Sequence, residues 1–161
     1  MINIILSSRL ILRKVNLEDA SDMFEYASNT ENIKYVEFEK HKSIEDTKMN
    51  IKNYFLKNSE NKFAIVLKEN NKMIGTIEFR INGNEANFGW IINKDYWSKG
   101  FCTEAAKELI KIYNEKYNIS LFSALVMPNN FASKRVLEKL GFKYEKNLIK
   151  KFNYEKYILK F

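Results

Sequence analysis

The stretch Tyr96-Trp97-Ser98-Lys99-Gly100-Phe101-Cys102-Thr103-Glu104-Ala105-Ala106 constrains this chain most. Ahead of it, Ala86, Phe88, Trp90 and Ile92 alternate with Glu85, Asn87, Gly89 and Ile91, which is the period of a strand. Beyond it, apolar residues recur three and four apart from Phe101 to Tyr117, the period of a helix with a broad buried stripe. Ile119 to Val126 then reads as a mostly apolar strand, closed by Pro128. The linking helix makes it parallel to Glu85–Ile92 through a right-handed crossover. Backbone N–H groups in the first turn of such a helix lack intrahelical partners. Gly100 lets a ligand approach them closely, so the turn can seat a pyrophosphate. An ordinary strand-to-helix turn with one glycine fits the same residues.

The 161 residues suit a single domain, 1–161, with one sizeable core. An apolar share of 45% excludes a disordered chain. No apolar run nears the roughly 20 residues that span a bilayer, and Met1 to Leu6 lacks the layout of a secretory signal. Cys102 stands alone, so an internal disulfide is excluded and a reducing cytoplasm is expected. The net charge of +7 is concentrated from Lys134 to Phe161, where nine basic residues face three acidic ones. Such a field draws polyanions, although a solvated Lys-rich surface explains it equally. Without zinc-finger spacing or a Gly-rich RNA-binding motif, nucleic acid is not the favoured partner. No cluster of His, Cys and carboxylates has metal-ligand spacing, so no metal is expected. A monomer and a homodimer are both compatible with the sequence.

In chain order, Ser8 to Arg13 reads as the opening strand. Asn16 with Asp19 forms a capping box for a helix carrying Leu17, Ala20, Phe24 and Ala27. Asn29 to His41 is aperiodic and long enough for a mobile substrate loop, and a passive connection fits it too. His41 reads there as a surface histidine. Ser43 with Asp46 starts a second helix that buries Ile44, Ile51 and Phe55. Phe63–Lys68 and Met73–Ile81 read as antiparallel strands, and Asn82-Gly83 as a hairpin turn. The long helix packs through Cys102, Ala106, Leu109, Ile110, Tyr113 and Tyr117. Asn129 or Asn130 caps a short helix with Ala132, Val136, Leu137 and Leu140 inward, closed by Gly141 in a left-handed C-cap. Phe142–Lys146 and Phe152–Leu159 complete an antiparallel pair.

Trp97-Ser98-Lys99-Gly100-Phe101-Cys102 resembles the acetyl-CoA pyrophosphate loop of the GCN5-related N-acetyltransferases (GNAT), Arg/Gln-x-x-Gly-x-Gly/Ala. It is most similar to the Tyr-Trp-Gly-Lys-Gly-Tyr-Ala-Thr-Glu-Ala form of the ribosomal-protein N-terminal acetyltransferase branch. Asn130-Phe131-Ala132-Ser133, Val136 to Phe142 and Leu10-Ile11-Leu12-Arg13 resemble that branch as well. The resemblance implies a three-layer α/β acyl-CoA N-acyltransferase fold, with a mixed, mostly antiparallel sheet. Its parallel strands Glu85–Ile92 and Ile119–Val126 splay apart near their C-terminal ends to receive pantetheine.

It further implies acetyl transfer from acetyl-CoA to a primary amine by direct attack, without an acyl-enzyme. The acceptor is a protein N-terminus or a small amine such as a polyamine, amino acid or aminoglycoside. A CoA-binding sensor without catalysis is the alternative. Cofactor contacts fall on Trp90, Ile91, Ile92, Trp97, Ser98, Lys99, Gly100, Phe101, Cys102, Thr103, Asn130 and Ser133. Lys99 either adds a charge-assisted contact or projects into water. Cys102, on the helix's apolar face with no histidine near, reads as packing more readily than as a nucleophile. Ser133 matches the branch's serine toward the departing thiolate, Leu137 standing where many relatives carry a tyrosine. A first-turn serine satisfying local backbone groups is the plainer reading of Ser133, and helix capping that of Asn130. Asn87 stands where the branch often has a catalytic Glu. Glu85, on the same face, is the substitute base through water, with Asn87 orienting water or acceptor; solvent deprotonation is the alternative. Tyr35, Glu37 and Asn87 are the candidate acceptor contacts, and the hairpin at Lys150-Lys151 would help frame the entrance.

Overall fold

The computed structural model describes residues 4–149 and 152–161. Its strands are β1 (Ile4–Leu6), β2 (Leu10–Arg13), β3 (Lys62–Leu67), β4 (Met73–Asn82), β5 (Glu85–Ile92), β6 (Leu121–Val126), β7 (Lys143–Ile149) and β8 (Asn153–Lys160). They hydrogen-bond in the order β1-β2-β3-β4-β5-β6-β8-β7. The helices are α1 (Ala20–Ala27), α2 (Ile44–Asn50), α3 (Phe101–Tyr117) and α4 (Phe131–Lys139). The expected α/β class holds. β5 and β6 pair in parallel, whereas β1–β2, β2–β3, β3–β4, β6–β8 and β7–β8 pair antiparallel. No helix among the described residues is long and apolar enough to cross a membrane.

Contacts divide the chain into two compact units, and β4 and β5 contribute to both. One unit comprises Met1–Glu78 and Trp90–Phe101; the other comprises Phe79–Gly89 and Cys102–Phe161. In the first, Val15, Met23, Tyr26, Ile51 and Phe55 pack on Ala64, Val66 and Met73. A capping box of Asn16 with Asp19 starts the 3-10 turn Leu17–Asp19 that leads into α1, and one of Ser43 with Asp46 starts α2, each satisfying two backbone donors reciprocally. After α2 the chain runs on as a π-helix, Ile51–Leu56, which turns Ile51 and Phe55 inward.

In the second unit, α3 closes over an aromatic core. Phe79 stacks on Phe88 at 5.4 Å and on Tyr113 at 4.8 Å, and meets Phe122 edge-on at 6.1 Å. Centroid separations of this size suit offset or edge-to-face rings. Gly141, at φ +85°, ends α4. Its amide reaches Glu138 O at 3.0 Å and the Phe142 amide reaches Leu137 O at 3.0 Å. That pair of bonds is a Schellman closure, and the left-handed residue it needs is why glycine stands there.

Four expectations change. The sheet opens at Ile4–Leu6, ahead of the expected strand, because these residues pair antiparallel with Ile11–Arg13 of β2, while the all-apolar run itself carries no alternation in the sequence. Tyr117 ends α3 44% exposed, reaching the core only by stacking on Tyr113 at 5.2 Å. Ala132 is exposed, since the first turn of α4 shows that face to solvent. His41 is buried, with Nδ1 2.9 Å from Thr47 Oγ1, and burial lowers its pKa. The Lys150-Lys151 turn lies outside the described residues.

Candidate active site

The loop between β5 and α3 is held by side chains. Asn93 Oδ1 accepts from the Asp95 amide at 3.2 Å, capping a 3-10 turn over Lys94–Tyr96. Ile92 O accepts two 2.7 Å bonds, from Trp97 Nε1 and from the buried Asn32 Nδ2. Asn32 Oδ1 in turn accepts from the Lys94 amide at 3.2 Å. The Ile91 carbonyl oxygen lies so close to Gly75 that a Cβ there would sit 2.1 Å from it. The Ile92 carbonyl is therefore committed to protein, and the Ile91 carbonyl packs against the backbone at Gly75.

Past that anchor the backbone is left-handed at Ser98 (φ +60°) and again at Gly100 (φ +80°). The first value explains the Gly common at the Ser98 position in the resembling branch. The amides of Lys99 and Gly100 make no hydrogen bond with a described residue. They directly precede, in the chain, the 17-residue helix α3. This is a fit for a diphosphate. Lys99 itself points elsewhere: Nζ donates to Asp95 O at 3.0 Å and lies 5.1 Å from the Tyr96 ring centroid. Arg9 lies on the loop instead, with Nη1 donating to Lys99 O at 3.0 Å and the guanidinium 4.3 Å over the Phe101 ring. Thr103 is half-buried in the first turn. Cys102 is buried, and burial pushes its thiol pKa up, away from a nucleophilic thiolate.

In the second unit, the β5–β6 ladder runs from Glu85–Leu121 to Asn87–Ser123 and stops. Phe88 and Gly89 of β5, and Ala124 to Val126 of β6, continue beyond it, and the latter three pair only with β8. At the last rung, Ser123 Oγ donates to Glu85 Oε1 at 2.7 Å and accepts from Asn87 Nδ2 at 3.2 Å. Asn87 Oδ1 accepts from Arg80 Nη1 at 3.3 Å. Lys156 Nζ lies 3.4 Å from both Glu85 Oε1 and Glu145 Oε2. The Ser123 hydrogen bond, more than Lys156, lowers the pKa of Glu85. A Cβ at Gly89 would meet only Arg80 Nη2, at 3.9 Å, so the face next to Asn87 is open.

In the same unit Asn130 Oδ1 accepts from the Ser133 amide at 3.2 Å, so Asn130 caps α4. The Ser133 hydroxyl makes no hydrogen bond among the described residues, so its side chain is not serving the cap. Leu137 is fully buried and packs the core. Tyr35 and Glu37 belong to the first unit with Trp90, Ile91, Ile92 and the loop residues up to Phe101. Tyr35 is half-buried with Lys34 Nζ 5.2 Å from its ring, and Glu37 is exposed. The structure thus joins Glu85 with Asn87, Asn130 with Ser133, and Ile92 with Trp97.

Sequence reasoning missed Ser123, Arg80, Asn32 and Arg9. Ser123 carried a signal, being a polar residue amid the apolar run Leu121 to Val126. The other three act across 7 to 90 positions of chain, which no local period reports.

A family model described as an acetyltransferase (GNAT) domain matches residues 9–143. N-acetyltransferase p20 of Bacillus licheniformis is 33% identical over 145 residues, covering 86% of this chain and 82% of that protein. A GNAT-family acetyltransferase from Bacillus anthracis superposes with a TM-score of 0.85 at 27% identity, with 98% of each chain covered. RimL, a ribosomal L7/L12 α-N-protein acetyltransferase solved in complex with coenzyme A, shares the fold at a TM-score of 0.83 and 18% identity, again over 98% of each chain. The parallel rung that ends at Asn87–Ser123 and the left-handed turn at the foot of α3 agree with these likenesses, and the chain belongs to the GNAT acetyltransferase family.

Proposed function

We propose that this acetyltransferase uses acetyl-CoA and acetylates a primary amine by direct attack, a protein N-terminal α-amine being the leading acceptor. The observation that carries the reading is the turn at Ser98–Gly100, twice left-handed, with the Lys99 and Gly100 amides not bonded to described protein groups. Bound acetyl-CoA supplies the thioester carbonyl and a thiolate leaving group. Amides of Lys99, Gly100, Cys102 and Thr103 hold the diphosphate, and the Phe101 ring fixes the loop. Trp90 and the amides of Ile91 and Ile92 line the pantetheine path, an amide at Ile91 or Ile92 stabilising the developing oxyanion. Asn130 shapes the start of α4, and Ser133 Oγ–H gives its proton toward the departing sulfur while regaining one from the solvent that takes the amine's proton.

The acceptor amine must arrive neutral. Glu85 is a weak base, because its carboxylate is stabilised by Ser123 and Lys156. Deprotonation by solvent therefore fits better, and it is easier for an α-amine of pKa about 8 than for a lysine near 10.4. Asn87 orients the acceptor.

A purified-enzyme assay of thiol release from acetyl-CoA tests this across peptides with different N-termini, amino acids, polyamines and aminoglycosides. Release that depends on peptide α-amines is the expected result. CoA binding without acceptor-dependent release from any amine would make the chain a sensor instead.

A further inference from the structure

We propose that Arg9, at the entrance to β2, is the cation that binds the cofactor's diphosphate, in place of the loop's own Lys99. The inference rests on the acetyl-CoA reading above. Lys99 carries the expected charge, but its ammonium is folded back onto the Asp95 carbonyl and the Tyr96 ring. Arg9 is brought to the same loop from 90 positions upstream. Its backbone is fixed first: Arg9 O accepts from the Lys68 amide at 3.0 Å, next to the β2–β3 ladder. Its side chain then makes two contacts with the loop and lies near a third residue. Nη1 bonds the Lys99 carbonyl at 3.0 Å, Cζ stands 4.3 Å from the Phe101 ring centroid, and Nη2 lies 3.5 Å from where a Gly100 Cβ would stand.

Each contact serves anion binding. Tying down the Lys99 carbonyl holds the Lys99–Gly100 peptide in one orientation. The aromatic face holds the guanidinium's plane, as cation–π contacts do. Proximity to Gly100 keeps a permanent positive charge beside amides that have no partner among the described residues. Arginine is suited to this because its planar fork matches phosphate oxygens and it stays protonated at all working pH values.

The test is calorimetric titration of wild type, Arg9→Gln, Arg9→Lys and Lys99→Gln with CoA and with dephospho-CoA, which keeps the diphosphate but lacks the 3′-phosphate. Turnover of S-acetylpantetheine, which has no phosphate, accompanies it. Arg9→Gln is expected to weaken CoA and dephospho-CoA alike by about tenfold or more, the size of a charge-assisted hydrogen bond. Arg9→Lys should fall between wild type and Arg9→Gln, Lys99→Gln should have a smaller effect than either, and kcat/KM for S-acetylpantetheine should hold. Undiminished CoA affinity in Arg9→Gln would overturn the proposal. So would a loss confined to CoA, which would move the contact to the 3′-phosphate, or an equal fall with S-acetylpantetheine, which would make Arg9 a structural prop. If wild type binds neither CoA nor dephospho-CoA, the acetyl-CoA reading itself falls and this inference with it.

Discussion

Ser123 Oγ donates a 2.7 Å hydrogen bond to Glu85 Oε1, and this bond fixes Glu85 as an ionised carboxylate. A carboxylate held in that form by a hydroxyl and by Lys156 gives up its capacity to take a proton near neutral pH. Glu85→Gln should therefore leave the neutral part of the pH–rate profile as in wild type. Its effect should appear in stability. Because the folded-state pKa is lowered, the carboxylate stabilises the fold above the unfolded value near 4.3 and loses that contribution as pH falls through the folded value. Denaturant midpoints of wild type should thus drop more steeply in acid than those of the variant. Loss of a titration between pH 6 and 8 from the rate profile of Glu85→Gln would restore Glu85 as the base.

Ser98 occupies a left-handed conformation that glycine adopts without steric cost. Ser98→Gly relieves the Cβ clash, worth about 1–2 kcal/mol, against a smaller loss from the freer unfolded chain. A net gain of up to about 1 kcal/mol is expected by urea denaturation. Gly100→Ala, at φ +80°, should move stability in the opposite direction and also weaken CoA. Identical midpoints for wild type and Ser98→Gly would show that the loop relaxes away from this geometry in solution.

Asn32 is buried and uses both ends of its amide, one on Ile92 O and one on the Lys94 amide. Asn32→Ala leaves the Lys94 N–H without this acceptor and halves the donors on Ile92 O. A cost of about 1–3 kcal/mol follows, the usual penalty for stranding a buried polar group. Asn32→Asp should be worse than alanine, since it sets a carboxylate oxygen against a carbonyl oxygen. Thermal melts of the two variants give the order, and an aspartate variant as stable as wild type would contradict it.

Strand β5 and helix α3 were legible to the residue, because each repeats one period over eight or more positions and ends at a turn residue. The capping boxes at Asn16 and Ser43 and the closure at Gly141 were legible for the same reason: their chemistry is local. Illegible were interactions whose partners are far apart in sequence. Asn32 bonds a carbonyl 60 positions on; His41, although its partner Thr47 is only six positions away, was illegible because no local period marks its burial. Lys99 looked like the loop's cation because it stood in the motif. Side-chain direction is set by the turn, and this turn sends its ammonium to Asp95. The Asn29 to His41 segment, read either as mobile or as passive, carries anchors at Asn32 and His41 that neither reading included.

Ser133 gives the sharpest test of the chemistry. Its amide is held by Asn130 at 3.2 Å, whereas its hydroxyl makes no hydrogen bond among the described residues. Removing the hydroxyl should therefore leave α4 intact: Ser133→Ala keeps the cap, and alanine is a better helix former. If the hydroxyl protonates the leaving sulfur, turnover should fall by about a hundredfold, the lower range for general acid catalysis, because a thiolate is already a fair leaving group. CoA affinity by titration should change little, which separates a chemical role from a binding one. The loss should also shrink with thioesters whose thiols are more acidic, since these need less protonation. A Ser133→Ala enzyme that turns over every thioester at the wild-type rate would leave the thiolate to solvent and retire Ser133 from the reaction.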